Sequence, residues 1–303
     1  MELTLLGTGG MLPLPQRHLT SLYAEHEGRA VLIDCGEGTQ VAAARFGCKL
    51  SRIRAILFTH RHTDHVAGLP GLLLSLGNTG RTEPLPVYCG EDCVQTIRHL
   101  TAVTGGLPYP VTVHPLPDHR ETHLPLPEID PGFSADTLPL DHSVPCLGYR
   151  LTLTKRPVFD PERARALGVP LPDWKRLHSG ESVRLPDGRC ITQDMVTAAA
   201  RAPLCIVYTT DTRPVPEIAL FARGADLFVC EGMYGTADKH ESMEAKGHML
   251  MQDACTLAAR AGAARLWLTH YSPAEKTPEQ YTDALQTLFS GTVISRDGQS
   301  LHL

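Results

Sequence analysis

The 303-residue chain has no uninterrupted apolar stretch near the ~18 residues that a membrane-spanning helix needs, so no membrane partner is expected. Met1-Glu2-Leu3-Thr4 places no basic region ahead of an apolar run. No signal peptide is therefore expected, and the cytoplasm is the expected compartment. No internal repeat or low-complexity tract interrupts the chain. A disulfide framework is also missing, because the nine cysteines are odd in number and scattered through apparent strands and helices. Cys89 and Cys93 form the closest pair, C-x3-C, and no second pair stands near them to complete a structural zinc site. The thiols are expected to be small, reduced and mostly buried.

A formal charge of −5 argues mildly against a nucleic-acid partner, but charge need not be spread evenly. Residues 155–184 hold Lys155, Arg156, Arg163, Arg165, Lys175, Arg176 and Arg184 against Asp160, Glu162, Asp173 and Glu181. Seven cations over four carboxylates leave this segment +3 and the remainder −8. A basic insertion on an acidic body fits either a solvated surface excursion or a grip on a polyanion. At 42% hydrophobic and 20% charged, the chain otherwise reads as an ordinary globular protein, long enough for one large domain.

Short apolar runs bounded by turns predict strands buried on both faces. These are Leu3-Thr4-Leu5-Leu6, Ala30 to Asp34, Ala55 to Thr59, Leu204 to Tyr208, Ala225 to Cys230 and Leu266 to Thr269. Helical patterns lie between them at Cys93 to Val103, Met249 to Ala261 and Pro278 to Phe289. Alternation of this kind predicts a layered α/β domain over 1–303. The proline-rich stretches 108–139 and 156–188 read as surface excursions. Several of the strands run into His60, Asp211, Glu231 or His270, so their ends can converge on one rigidly held point.

Thr59-His60-Arg61-His62-Thr63-Asp64-His65 follows one of these strands. Three imidazoles and a carboxylate within six residues are the donors zinc takes. H-x-H-x-D-H after a strand resembles the signature of the metallo-β-lactamase superfamily. That resemblance implies an αββα four-layer sandwich with two metal ions at one edge. It also implies the remaining ligands, which stand downstream in the expected order: His142, Asp211 and His270. One zinc would take His60, His62, His142 and Asp211; the other would take Asp64, His65, His270 and the shared Asp211. Asp64 is the candidate to orient or deprotonate the attacking water. The same ligands leave manganese open.

Within the superfamily, Leu6-Gly7-Thr8-Gly9-Gly10 with Pro13 and Arg17 resembles ribonuclease Z, as do Ile33 to Gln40, Gly68 to Leu73 and Leu147-Gly148-Tyr149-Arg150. The resemblance implies a short-form tRNA 3′-processing endonuclease acting on precursor tRNA, commonly a homodimer. By the same resemblance, residues 155–184 match a protruding arm that grips tRNA. Trp174, Tyr149 and Phe159 are rings able to stack on RNA, but core packing is the expected role of each. Glu231 and His248 take the places of a family pair in which the histidine protonates the leaving 3′-oxygen. The alternative that keeps the metals is a di-zinc phosphodiesterase for small or cyclic diesters; the alternative without chemistry is a metal-stabilised RNA-binding protein.

Overall fold

The computed structural model describes residues 1–155, 158–198 and 202–303. Arg156 of the basic segment lies outside the described residues. The chain divides into two compact units, 1–152 with 205–303, and Leu153–Leu204.

The larger unit is built on two seven-stranded sheets. β1 (Glu2–Gly7), β2 (Ser21–His26), β3 (Arg29–Ile33), β4 (Ile53–Phe58), β5 (Leu85–Gly90) and β6 (Val111–Leu116) belong to the first. β7 (Thr122–Pro125), β8 (Phe133–Leu140) and β9 (Cys146–Leu153) begin the second. A short hairpin, β10 (Val183–Arg184) with β11 (Cys190–Ile191), lies in the smaller unit. β12 (Leu204–Thr209), β13 (Leu227–Glu231), β14 (Leu266–Thr269) and β15 (Thr292–Ile294) complete the second sheet, and β16 (Ser300–His302) returns to pair with β1.

Side chains alternate across a strand, so each sheet has two faces to bury. On the first sheet Ala30, Leu32, Ile56 and Phe58 pack against helices Thr39–Arg45, Leu69–Asn78 and Val94–Ala102. Their alternates Val31, Ile33, Ala55 and Leu57 are also fully buried. On the second sheet Val207, Phe228 and Leu268 pack against helices Glu217–Phe221, Met251–Ala261 and Thr282–Leu288. The two sheets are stitched together where Leu147 N–H donates to Thr59 O at 2.9 Å and Tyr149 Oη donates to Phe58 O at 2.7 Å. This is the metallo-β-lactamase fold, with helices outside and sheets within. Strands β3 to β6 run parallel, as do β12 to β15. In such sheets the carboxyl ends of the strands form the natural crevice for a site.

Part of the 108–139 stretch differs from its reading as a surface excursion. It supplies β6, β7 and most of β8, and buries Leu116, Phe133, Ala135 and Leu138. β6 and β7 are edge strands, where a proline such as Pro115 or Pro125 interrupts no ladder on its free side.

The smaller unit has its own apolar centre of Ala164, Val169, Leu177, Val183, Leu185, Ile191 and Val196. Its first helix, Pro161–Ala166, is capped by Asp160, which accepts from the backbone N–H of Glu162 and Arg163. Phe159 and Trp174 pack against that centre with ring centroids 5.3 Å apart, and Trp174 Nε1 donates to Val169 O at 3.0 Å. Tyr149, in the larger unit, is fully buried. All three aromatic rings therefore pack in cores.

Candidate metal centre

The motif 60–65 leaves β4 as an extended turn that closes into the short helix Thr63–Val66. Asp211 follows β12, Glu231 ends β13, His270 follows β14, and His142 stands between β8 and β9. These connections bring the sequence candidates together in two sets: His60, His62, His142 and Asp211 in one, and Asp64, His65 and His270 in the other, the donor atoms of each set lying within 4.8 Å of one another. Asp211 also reaches the second set, with Oδ1 at 3.2 Å from both His65 Nε2 and His270 Nε2.

The donor chemistry fits a cation between these groups. His65 Nδ1 donates to Asp34 Oδ2 at 2.8 Å, leaving the Nε2 lone pair aimed inward, 3.2 Å from His270 Nε2. His142 Nδ1 donates to Gly247 O at 2.8 Å, and its Nε2 lies 3.2 Å from His62 Nδ1. Ring nitrogens held this way repel one another unless a positive centre lies between them. His60 Nε2 and Asp211 Oδ1 are buried with no hydrogen-bond partner, which a protein core otherwise avoids. Burial lowers the imidazoles of His60 and His62 from their ordinary value and brings His142 down to about 4, so all three favour the neutral, ligating form. Burial also opposes charge on His65, but the carboxylates of Asp211, Asp34 and Asp64 outweigh it and favour positive charge there.

Backbone strain gathers at this point. Asp34, His270 and Met11 all have positive φ, at 60°, 58° and 65°. Such values are uncommon outside glycine and persist where the surroundings over-determine them. At Met11 the turn aims the backbone N–H at Asp64 Oδ2, 2.6 Å away. Gly10 lies so close to His270 that a Cβ would meet its ring at 2.6 Å. Asp297 holds the base of the same loop, accepting from Thr8 N at 2.9 Å and His18 Nδ1 at 2.9 Å.

Glu231 and His248 meet beside the second set. His248 Nδ1 donates to Glu231 Oε2 at 3.0 Å, and Glu231 Oε1 accepts from Thr212 N–H at 2.6 Å. Burial works against a charged His248, but the Glu231 carboxylate outweighs it and pushes the imidazole up to about 9. Asp64 is opposed by burial as well, yet His65 and His270 hold its carboxyl well below the usual range.

Similarity to known proteins agrees with this architecture. The metallo-beta-lactamase superfamily pattern matches residues 15–139, and a beta-lactamase superfamily domain pattern matches residues 195–271. The ribonuclease Z of Lachnospira eligens is 39% identical over 303 residues, spanning 100% of this chain and 98% of its own. The chain belongs to the ribonuclease Z family. Ribonuclease Z of Clostridium kluyveri is 37% identical, with 98% of this chain and 96% of that one covered. Among solved structures, the short form of human tRNase Z superposes with a TM-score of 0.67 at 23% identity, covering 100% and 99% of the two chains. The metallo-beta-lactamase fold protein YhfI from Bacillus subtilis superposes with a TM-score of 0.69 at 20% identity, covering 99% and 98%. Like its ribonuclease Z relatives, the protein is a metal-dependent hydrolase.

Two contributors to the site went unassigned in the sequence. Asp34 orients His65 and also accepts from Thr59 N–H at 2.9 Å, although the sequence placed it only as the last residue of a strand. Met11 acts through its backbone, which a side-chain pattern does not report.

Proposed function

We propose that the protein is a two-zinc endoribonuclease that removes the 3′ trailer of precursor tRNA, leaving a 3′-hydroxyl on the tRNA and the phosphate on the trailer. The observation that carries this reading is the His248–Glu231 pair beside two complete ligand sets, in a chain related along its whole length to ribonucleases Z. His60, His62, His142 and Asp211 would hold one ion, and Asp64, His65, His270 and the shared Asp211 the other. When bound, the two ions lower the pKa of a water toward neutrality and offset the charge on the phosphoryl oxygens.

The chain's own groups do the rest. Asp64, fixed through one oxygen by the Met11 N–H, orients the attacking water and takes up its proton. His248 gives a proton to the departing 3′-oxygen, and Glu231 keeps that imidazole protonated and turned toward it. Asp34 and the Gly247 carbonyl fix the rotation of His65 and His142. Strand ends supply this rigidity, since a misplacement of about 1 Å at such a site can cost on the order of a hundredfold in rate.

The unit Leu153–Leu204 is the tRNA grip in this proposal. Arg163 and Arg176 are ion-paired within it to Asp160, Asp173 and Glu181, while Lys175 and Arg184 form no ion pair among the described residues. Free cations on a surface suit phosphate backbone contacts. A homodimer in the cytoplasm completes the proposal, and sedimentation of the metal-loaded protein tests the dimer. The deciding experiment is cleavage of a 3′-extended precursor tRNA by zinc-loaded protein, beside bis(p-nitrophenyl) phosphate and a His248→Ala control. Cleavage after the discriminator base, lost in the control, supports the reading. Turnover of the small diester with intact precursor tRNA replaces it with a phosphodiesterase for small substrates.

A further inference from the structure

A cavity of ≈ 340 Å³ opens from the metal centre. His62, Asp64, His142, Asp211 and His248 form its chemical end. The other walls differ in kind. Met233, Tyr234 and Met243 form one apolar side, and Met11 contributes another. Lys246 lies at the edge and makes no ion pair or hydrogen bond among the described residues.

This apolar side is fixed in place. Tyr234 Oη accepts from Ser272 Oγ at 2.6 Å, Met233 O accepts from Ser272 N–H at 3.1 Å, and His248 N–H donates to Met243 O at 2.9 Å. Met11 is unusual in two respects, since it keeps a non-glycine side chain at φ 65° and leaves 54% of itself exposed at the mouth of a polar site. Strain and exposure together favour a role for that side chain in contact with a ligand.

A phosphodiester in reach of the ligand sets has His248 on its departing 3′-oxygen, so the nucleotide that bears this oxygen lies on the His248 side. Its sugar and phosphate are too strongly hydrated for a wall of methionine and tyrosine, whereas a base has an apolar face. A base held in a duplex cannot enter a cavity of this size. We propose that this cavity is a subsite for the unpaired base of the last retained nucleotide, packed between Met11 and the Met233–Tyr234–Met243 wall, with its 5′-phosphate on Lys246. This rests on the reading of the protein as a precursor-tRNA endonuclease. Unbranched methionines repack around different shapes, so all four bases are accepted.

The test uses the zinc-loaded, full-length protein on 3′-extended precursor tRNA carrying either a normal or an abasic nucleotide at the last retained position. Removing the base raises KM roughly tenfold for the wild type. Met11→Gly keeps the backbone N–H and relaxes φ, and it brings the KM for the normal substrate close to that for the abasic one. Lys246→Met raises KM several-fold and flattens the salt dependence by about one phosphate contact, and Lys246→Arg restores both. Equal KM for normal and abasic RNA overturns the base subsite. An unchanged salt dependence in Lys246→Met overturns the phosphate contact. Turnover of the small diester with no cleavage of either RNA overturns the parent reading, and the subsite with it.

Discussion

The two compact units carry charge in opposite ways. In the larger unit, ionisable groups from five strand ends are withdrawn from water and tied to one another around a single point; Glu231, His65, His270 and Asp34 are fully buried. In the smaller unit, Lys175, Arg176 and Arg184 lie on the surface of a fold with an apolar centre. Buried charge is costly unless its partners are held rigidly, so it belongs where geometry decides the rate. Surface charge works over distance and through salt-sensitive attraction, so it suits capture of a polyanion. On this comparison, changes among the buried ligand groups of the larger unit are expected to alter turnover of every substrate, and changes to the surface cations of the smaller unit to alter only the KM for RNA.

The sharpest expected effect follows removal of the carboxylate common to both ligand sets. Asp211→Ala lowers kcat by at least about a thousandfold on precursor tRNA and on bis(p-nitrophenyl) phosphate alike, with zinc per chain reduced by elemental analysis. Retention of full zinc and near-normal rates would show that the two sets do not share it. His248→Ala comes next, with kcat on precursor tRNA down about 10²- to 10⁴-fold and bound zinc unchanged. A smaller loss on the nitrophenyl diester is expected, because that leaving group needs no proton.

Asp34→Ala is expected to weaken zinc binding about 10- to 100-fold in a chelator competition, through the freed rotation of His65. Glu231→Gln acts on the pH profile. His248 is raised to about 9 by the Glu231 carboxylate, so its protonated form is present below that pH and is lost as pH rises through it. Taking the negative charge away while burial remains moves the alkaline limb to lower pH; an unmoved limb would assign that limb to another group. The smallest effect belongs to the smaller unit. Lys175→Glu with Arg184→Glu raises the KM for precursor tRNA several-fold, with a shallower salt dependence and no change on the small diester. A slower small diester in that variant would break the division between the units.

Much of the larger unit was legible because its strands are apolar on both faces and stop abruptly at chemistry-bearing residues. The runs before His60, Asp211, Glu231 and His270 coincide with β4, β12, β13 and β14. The helix expected from Cys93 to Val103 is Val94–Ala102, preceded by the 3-10 turn Glu91–Cys93, and the one expected from Met249 starts at Met251, after Leu250 N–H is capped by Asp253. Edge strands were harder to see. They bury one face or less, so β6 and β7 show polar and proline residues that resemble loop. The basic stretch 155–184 marks only part of the smaller unit, which runs on to Leu204 because Leu185, Ile191 and Val196 complete its core. Charge pattern showed the cations but not the apolar positions that fold beneath them. Asp34 and Met11 stayed hidden for another reason: their roles depend on backbone conformation at positive φ, which residue type alone does not encode.

The shared carboxylate also bears on how the centre fills. Asp211 faces His60 and His142 with Oδ2, at 3.7 Å from each, and His65 and His270 with Oδ1. On the proposed assignment, a first ion would fix the rotamer of Asp211 for a second, which would favour its entry. It would also withdraw part of the carboxylate's negative charge, which would oppose that entry. On that assignment the two seats would be thermodynamically linked, and the balance of the two effects would set the sign of the linkage. A zinc titration should depart from the sum of two independent hyperbolas, and Asp211→Asn, which keeps the side-chain shape and removes the charge, should change the steepness of the isotherm as well as its midpoint.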